Sequence, residues 1–377
     1  MSDEGIGLEA AKVGEQYMKA ALKLAARGRG LASPNPMVGA IVVKKGEVVG
    51  QGYHVYSSKD HAEVRALREA GARALGADLY VTLEPCNHLG RTPPCSQAII
   101  SSGVKRVFVA VRDPNPDVSG GGVEFLRAEG VETVVGLCED KARALNEAFF
   151  HTVEHRTPFV TLKLALTLDG KIATQQGESK WITGAASRRA VHRLRFENDA
   201  ILVGIKTVLQ DDPSLDVRWR RSSQITKVVL DSELRTPLDA RLFLSGDPVV
   251  IFHSPMASAE RRNALGVRAE LHEVACSEHR LSWEGVLTVL ARERITSLLV
   301  EGGAEIAASL IREQRVNRLL LFLGPRMLGS RGISAVGDLG VERLADGPRW
   351  EVIRTRRLPP DLMLELRPEG KFKEGES

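Results

Sequence analysis

His61, Cys86 and Cys95 are residues of the types that bind a transition metal. One imidazole and two thiolates suit zinc. Three protein donors leave a tetrahedral ion one open position, as catalytic sites do and structural sites do not. Two thiolates formally cancel the charge of the ion, so water at the open position ionises near neutral pH. Hydrolytic deamination of a base also needs a carboxylate outside the ligand set, to move a proton from the water to the ring nitrogen and the departing ammonia. Glu63, two residues past His61, is placed for that task. Each residue also has a plainer role. Asp60-x-x-Glu63 has the form of a capping box. His61 alone reads as a surface or cap residue, and Thr92-Pro93-Pro94 starts a helix without any metal. The combination outweighs these, because His-Ala-Glu is followed by a strand ending in Pro-Cys, a loop, and a second Pro-Cys opening a helix. A closed structural zinc would need a fourth ligand, and His88 inside the loop is the only nearby candidate.

The second half lacks a Gly-x-Gly-x-x-Gly after any strand, which speaks against a conventional dinucleotide domain. Residues 300–306, VEGGAEI, read as a strand, a Gly-Gly turn and a helix start. Glycines let a backbone approach a pyrophosphate, and the free N–H groups of a helix end hold it. That signal is weak alone, since many such turns carry glycines. Lys163 stands in the apolar run TLKLAL. A lysine there either snorkels or faces a site, and the site is the preferred reading.

The elements that must position these residues alternate. Residues 15–27 read as an amphipathic helix, 37–43 and 47–50 as a hairpin split at Lys44-Lys45-Gly46, and 61–70 as a helix. Strand 78–83, a helix from Pro94 to about Ser102, strand 105–111, a helix from about Gly122 to Glu129 and strand 132–137 follow. A polar break near 150–158 separates a second series: strand 159–170, helix 185–196, strands 200–204, 226–231, 248–252 and 297–303, helix 304–313 and strand 318–323. Both halves are therefore α/β. The expected domains are 1–155 and 156–368, with a polar tail, 369–377, expected to be disordered.

The first half resembles the cytidine/deoxycytidylate deaminase superfamily. It departs from the usual Pro-Cys-x-x-Cys, because eight residues separate Cys86 from Cys95. The long form, VTLEPCNHLGRTPPC at 81–95, resembles the deaminases of riboflavin biosynthesis. So do Ser33-Pro34-Asn35-Pro36-Met37-Val38-Gly39-Ala40, Gly52-Tyr53-His54 and Asp113-Pro114-Asn115-Pro116. The resemblance implies an α/β/α sandwich in which Asn35, His54 and His88 contact the pyrimidine or its sugar. In the second half, residues 160–173, Ser179-Lys180-Trp181-Ile182-Thr183 and the run from Gly204 to Leu215 resemble the riboflavin-pathway reductases, which have a dihydrofolate-reductase-like fold. That likeness implies that Ala165, Trp181, Thr207, Asp211 and the turn Gly302, Gly303, Ala304 line a nicotinamide cofactor. It implies that Ser179, Arg195, Leu215, Arg218 and Glu301 hold a ribose phosphate. Arginine forks match phosphate oxygens, although solvated surface charge is the plainer role of both arginines. Lys163 would engage the sugar carbonyl or imine, and Lys163, Asp211 and Glu301 are the candidates for its proton.

The whole pattern implies a bifunctional enzyme with one zinc per chain and NADPH. It would deaminate 2,5-diamino-6-ribosylamino-4(3H)-pyrimidinone 5′-phosphate and then reduce the ribosyl chain of 5-amino-6-(5-phosphoribosylamino)uracil. The alternative is a zinc deaminase of nucleic acid or nucleotides with a non-reductase second domain. A nucleic-acid enzyme would call for a basic stripe, whereas the net charge over 377 residues is only +4. Four cysteines make no disulfide framework, and no apolar run reaches a membrane span. The acidic start, Met1-Ser2-Asp3-Glu4, lacks a signal pattern, so a cytoplasmic location is expected. By analogy with reductases of this fold, a homodimer or homotetramer is expected.

Overall fold

The computed structural model describes residues 3–89, 93–115, 121–219, 224–278 and 280–370. They form two compact units, Met1–Arg156 and Thr157–Ser377. Both are α/β. Among the described residues no helix is long and apolar enough to cross a membrane.

The first unit comprises α1 (Asp3–Ala25), β1 (Gly39–Lys44), β2 (Glu47–Tyr53), α2 (Ala62–Ala70), β3 (Asp78–Val81), α3 (Cys95–Ser101), β4 (Arg106–Val109), α4 (Gly122–Ala128), β5 (Glu132–Val135), α5 (Glu139–Leu145) and α6 (Glu147–His155). The strand order is β2-β1-β3-β4-β5. β1 is antiparallel to both neighbours, and β3, β4 and β5 are parallel. Alternation along β1 divides the interior. Ala40 and Val42 pack with Ala62 and Ala66 of α2, Ile99 of α3 and Leu126 of α4. Ile41 and Val43 pack with Met18 and Ala21 of α1 and with Phe150 of α6. The period of two thus places helices on both faces of one sheet. Two glycines set how closely α2 lies on it. A Cβ at Gly50 would strike the Ala66 carbonyl, and one at Gly52 the Ala62 carbonyl.

The second unit holds β6 (Phe159–Thr167), β7 (Lys171–Ala173), α7 (Ala185–Glu197), β8 (Ala200–Gly204), α8 (Ile205–Asp211), β9 (Thr226–Leu230), β10 (Val249–His253), α9 (Ala259–Gly266), β11 (Glu270–Glu273), β12 (Cys276–Ser277), β13 (Arg280–Leu281), α10 (Trp283–Arg292), β14 (Ser297–Val300), α11 (Ala304–Arg312), β15 (Arg318–Gly324), β16 (Ile333–Ser334), β17 (Trp350–Leu358) and β18 (Asp361–Pro368). Nine strands form one sheet in the order β11-β10-β9-β8-β14-β6-β15-β18-β17. The first seven are parallel, and β18 and β17 close it as an antiparallel hairpin. Ala200 and Leu202 of β8 enter one core with Val160, Leu162, Leu164 and Leu166 of β6. Ile201 and Val203 enter another on the opposite face. The chain leaves β6, skips a position to β8, and later returns to fill the gap with β14. Ligands of open α/β sheets bind at the carboxyl ends of strands beside such a switch, here those of β6, β14 and β8.

Several sequence expectations are corrected in detail. α1 begins at Asp3 rather than near residue 15; the glycines at 5, 7 and 14 lower its helical propensity and hid it. The polar stretch after residue 150 is no break until Arg156, because α6 runs through His155 and closes at a left-handed Arg156. The strand expected over 297–303 stops at Val300. Of the tail expected to be disordered, residues 371–377 lie outside the described residues, as do Thr92 and Pro116 of the motifs.

Candidate functional sites

The first site lies where three segments meet. His61 is the N-cap of α2 and makes no side-chain cap bond; Glu63 falls in the first turn. The capping-box reading fails here, because Asp60 is not the cap and its carboxylate accepts Arg68 at 2.6 Å. Cys86 follows β3, and Cys95 is the first residue of α3. The Cys95 N–H donates to Cys86 Sγ at 3.4 Å, and the Ser96 N–H to the Cys86 carbonyl at 3.2 Å. His61 Nδ1 stands 3.0 Å from Cys95 Sγ and 3.5 Å from Cys86 Sγ. All three donor atoms lie within 4.8 Å of one another. His88 is exposed and is not part of this group.

The electrostatics are those of a site built around a cation. Cys86 is held down to about 4, first by its bond with Cys95. Cys95 is pushed up by the same bond and by burial. A divalent ion bound by both sulfurs would let both ionise. The donor set therefore fits zinc. Glu63 is 3% exposed. Burial, then the charge of Cys86, pushes its carboxyl up to about 7.

Around this centre, Asn35 Nδ2 lies 3.1 Å from His54 Nε2, and the buried His54 ring meets His61 edge-on at 5.4 Å. Two contributors were not foreseen. Asn146, buried between α5 and α6, accepts the Met37 N–H at 2.7 Å and donates to the Met37 carbonyl at 2.9 Å. It pins the segment that carries Asn35. Glu84 accepts the N–H groups of Val123 at 3.0 Å and Asp113 at 3.3 Å. Asp113, within the quoted motif, is raised to about 6 by burial, against its bond to Asn115. Nothing in local spacing marks Asn146, whose partner is 109 residues away.

The second site centres on Glu301, just past β14. Its carboxylate receives Arg195 Nε at 2.8 Å and Nη2 at 3.2 Å. Lys163 Nζ approaches it to 3.4 Å. All three side chains are at most 15% exposed. Burial alone would raise Glu301, but Arg195 and Lys163 outweigh it and take the group down to about 2. The lysine does not snorkel. Lys163 and Ala165 occupy the face of β6 opposite its leucine core, with Phe322 under the ammonium at 6.0 Å. Arg195, expected with Glu301 to hold the ribose phosphate, is engaged by Glu301 in this structure, and its Nη1 donates to the Asp216 carbonyl at 3.0 Å.

The remaining residues lie in nearby loops and helix starts. Ser179 Oγ stands 3.4 Å from Asp211 Oδ1 at the end of α8, which also carries Thr207. Gly302 and Gly303 form the turn into α11, which starts at Ala304. Leu215 is buried in a left-handed conformation, φ +55°. Arg218 is exposed and sits 3.6 Å from the Asp216 carboxylate. Trp181 is 61% exposed; Arg188 covers its ring at 4.4 Å, and both border a cavity of about 350 Å³.

Comparison with known proteins matches both halves. Residues 11–111 fit the family model of the cytidine and deoxycytidylate deaminase zinc-binding region. Residues 158–364 fit that of the RibD C-terminal domain. The riboflavin biosynthesis protein RibD of Aquifex aeolicus is 44% identical over 94% of this chain and 98% of its own. The RibD of Escherichia coli is 40% identical over 93% and 98%. Among solved structures, a RibD of Acinetobacter baumannii matches with a TM-score of 0.87 at 34% identity, over 95% of this chain and 99% of that one. A diaminohydroxyphosphoribosylaminopyrimidine deaminase/5-amino-6-(5-phosphoribosylamino)uracil reductase of Thermotoga maritima matches at 0.84 and 36%, with the same coverage.

Proposed function

The chain belongs to the RibD family of bifunctional deaminase–reductases of riboflavin biosynthesis, and from that premise we propose which residues carry each step and on what substrate. The first unit deaminates 2,5-diamino-6-ribosylamino-4(3H)-pyrimidinone 5′-phosphate. The second reduces the resulting 5-amino-6-(5-phosphoribosylamino)uracil to its ribitylamino form. The observation that carries this reading is the convergence of His61, Cys86 and Cys95 beside a buried Glu63 that is not one of the three donors. The nucleic-acid alternative is not favoured, because residues 158–364 match a reductase domain for which it has no role.

In deamination, His61, Cys86 and Cys95 would hold zinc, which when bound would supply an electrophile that lowers the pKa of water. Glu63 takes one proton from the attacking water and passes it to the ring nitrogen, then takes the second from the hydroxyl now on the ring carbon and gives it to the amino group, which leaves as ammonia as the carbonyl forms. Asn35 and His54 hold the pyrimidine ring, and His88 reaches the substrate from its loop.

For reduction, the hydride that reaches C1′ of the opened ribose would come from NADPH when it is bound. The backbone of Gly302, Gly303 and Ala304, at the N-terminus of α11, receives its pyrophosphate. Ala165, Trp181, Thr207 and Asp211 line the nicotinamide end. Lys163 faces the carbonyl or imine at C1′. Glu301, held at about 2, is a carboxylate at neutral pH; it orients Lys163 and leaves the proton to Lys163 or Asp211. Arg218, Ser179 and Leu215 hold the ribose phosphate, and Arg195 fixes Glu301. The cytoplasm is the expected location, and by analogy with reductases of this fold the chain works as a dimer or tetramer.

Two single variants test the division of labour. Ammonia release from the diaminopyrimidine and NADPH oxidation with the deaminated product are measured separately. Glu63→Gln abolishes only the first and Lys163→Ala only the second. If zinc-loaded protein performs neither reaction on these substrates, the assignment of substrate is wrong.

A further inference from the structure

Lys227 on β9 is fully buried, a rare place for a lysine. Its ammonium donates to the Leu242 carbonyl at 2.9 Å and to Ser245 Oγ. It faces Asp247 Oδ2 at 3.2 Å and Asp216 Oδ1 at 3.5 Å. Leu242, Ser245 and Asp247 belong to one segment, so one function of Lys227 is to fasten it. Asp216 belongs to another. Its carboxylate stands between two cations, with Oδ1 toward Lys227 and Oδ2 3.6 Å from Arg218. Its carbonyl accepts Arg195 Nη1 at 3.0 Å. Arg195 in turn grips Glu301, which holds Lys163. The backbone between Leu215, whose φ is +55°, and Arg218 thus carries a carboxylate that faces a buried charge at 3.5 Å.

We infer that Lys227 is a positioning residue of the reductase site. By fixing the Asp216 carboxylate it keeps Arg218 aimed at the substrate phosphate. It touches neither substrate nor cofactor. A buried lysine opposite two carboxylates is costly to remove, because the partners stay behind uncompensated. Without Lys227, Asp216 is free to turn onto Arg218 and draw its guanidinium away from the phosphate. The inference rests on the proposed reductase role of the second unit.

The test is kinetic. Lys227→Met, Asp216→Asn and the double variant are assayed for NADPH oxidation with 5-amino-6-(5-phosphoribosylamino)uracil and with the same compound lacking its phosphate. Each single variant is expected to raise KM for the phosphorylated compound about tenfold with kcat little changed, the pattern of lost binding rather than lost chemistry. The efficiency with the dephosphorylated compound stays as in the unaltered protein. The double variant is no worse than the weaker single one, since both changes cut the same chain of contacts. Ammonia release by the first unit serves as the internal control and is unchanged. If Lys227→Met lowers thermal stability while KM for the phosphorylated compound holds, the lysine only fastens residues 242–247 and the inference fails. If Lys227→Met does not fold, Asp216→Asn decides alone, and an unchanged KM overturns the inference. Failure of the unaltered protein to reduce either compound would instead remove the reductase reading, a result visible before any variant is made.

Discussion

Glu301 shows how a single residue ties chemistry to stability. Its carboxyl sits at about 2 against an ordinary 4.5, because Arg195 and Lys163 outweigh the cost of burial. A carboxylate lowered in the folded state adds stability that is complete above its unfolded value and is lost as pH falls through the folded one. The contribution is therefore present at neutral pH and disappears between pH 4.5 and about 2; a shift of that size corresponds to about 3 kcal/mol. All four tryptophans, Trp181, Trp219, Trp283 and Trp350, lie in the second unit, so their fluorescence reports its unfolding alone. Urea titrations across this window are expected to show the second unit weakening steadily as acid is added. Glu301→Gln should be weaker at pH 7, since it leaves two buried cations without a counter-charge, and should lose less on acidification. A parallel acid profile in the variant would mean that other carboxylates govern the window.

At the scale of elements, precision comes from how closely α2 lies on the sheet. His61 and Glu63 sit at its start, so any shift of the helix moves the proposed metal donor and the proposed proton carrier together. Gly52→Ala forces a Cβ against the Ala62 carbonyl. Overpacking of this kind costs about 1–3 kcal/mol, and small displacements of reacting groups cost up to about 100-fold in rate. Gly52→Ala should therefore slow ammonia release by at least about tenfold and lose zinc faster to a chelator, with NADPH oxidation unaffected. Normal deamination in that variant would show that the contact does not set the site. The same elements mark what a sequence reveals. β1 and β2 were legible as apolar runs split by the Lys44-Lys45-Gly46 turn, and α2 by its helical spacing. The hairpin β17–β18 was not, because Glu351 to Arg357 are all exposed and carry no alternation. The metal donors could be read from residue type and motif. The Lys163–Glu301 pair, 138 residues apart, and Asn146 with Met37, 109 apart, could not be read as contacts. Spacing carries no information about which distant segments the sheet brings together.

At the scale of the molecule, each hydrophobic cluster among the described residues belongs to one unit: two to the first and three to the second. Each unit also has its own sheet. α6 ends at His155 and β6 begins at Phe159, so the link between the units is short and interrupts no element. A unit with its own core folds on its own. Cut between Arg156 and Thr157, the two halves should each fold when made separately, the first releasing ammonia and the second oxidising NADPH at rates within about twofold of the intact chain. An equimolar mixture then measures what fusion contributes. The intermediate is a small phosphorylated riboside, free to diffuse once released, so mixture and intact chain should make the ribityl product at the same steady rate. A lag and a lower rate confined to the mixture would show that the chain passes the intermediate from one site to the other. Loss of either half-reaction on cutting would instead show that one unit depends on the other for its fold.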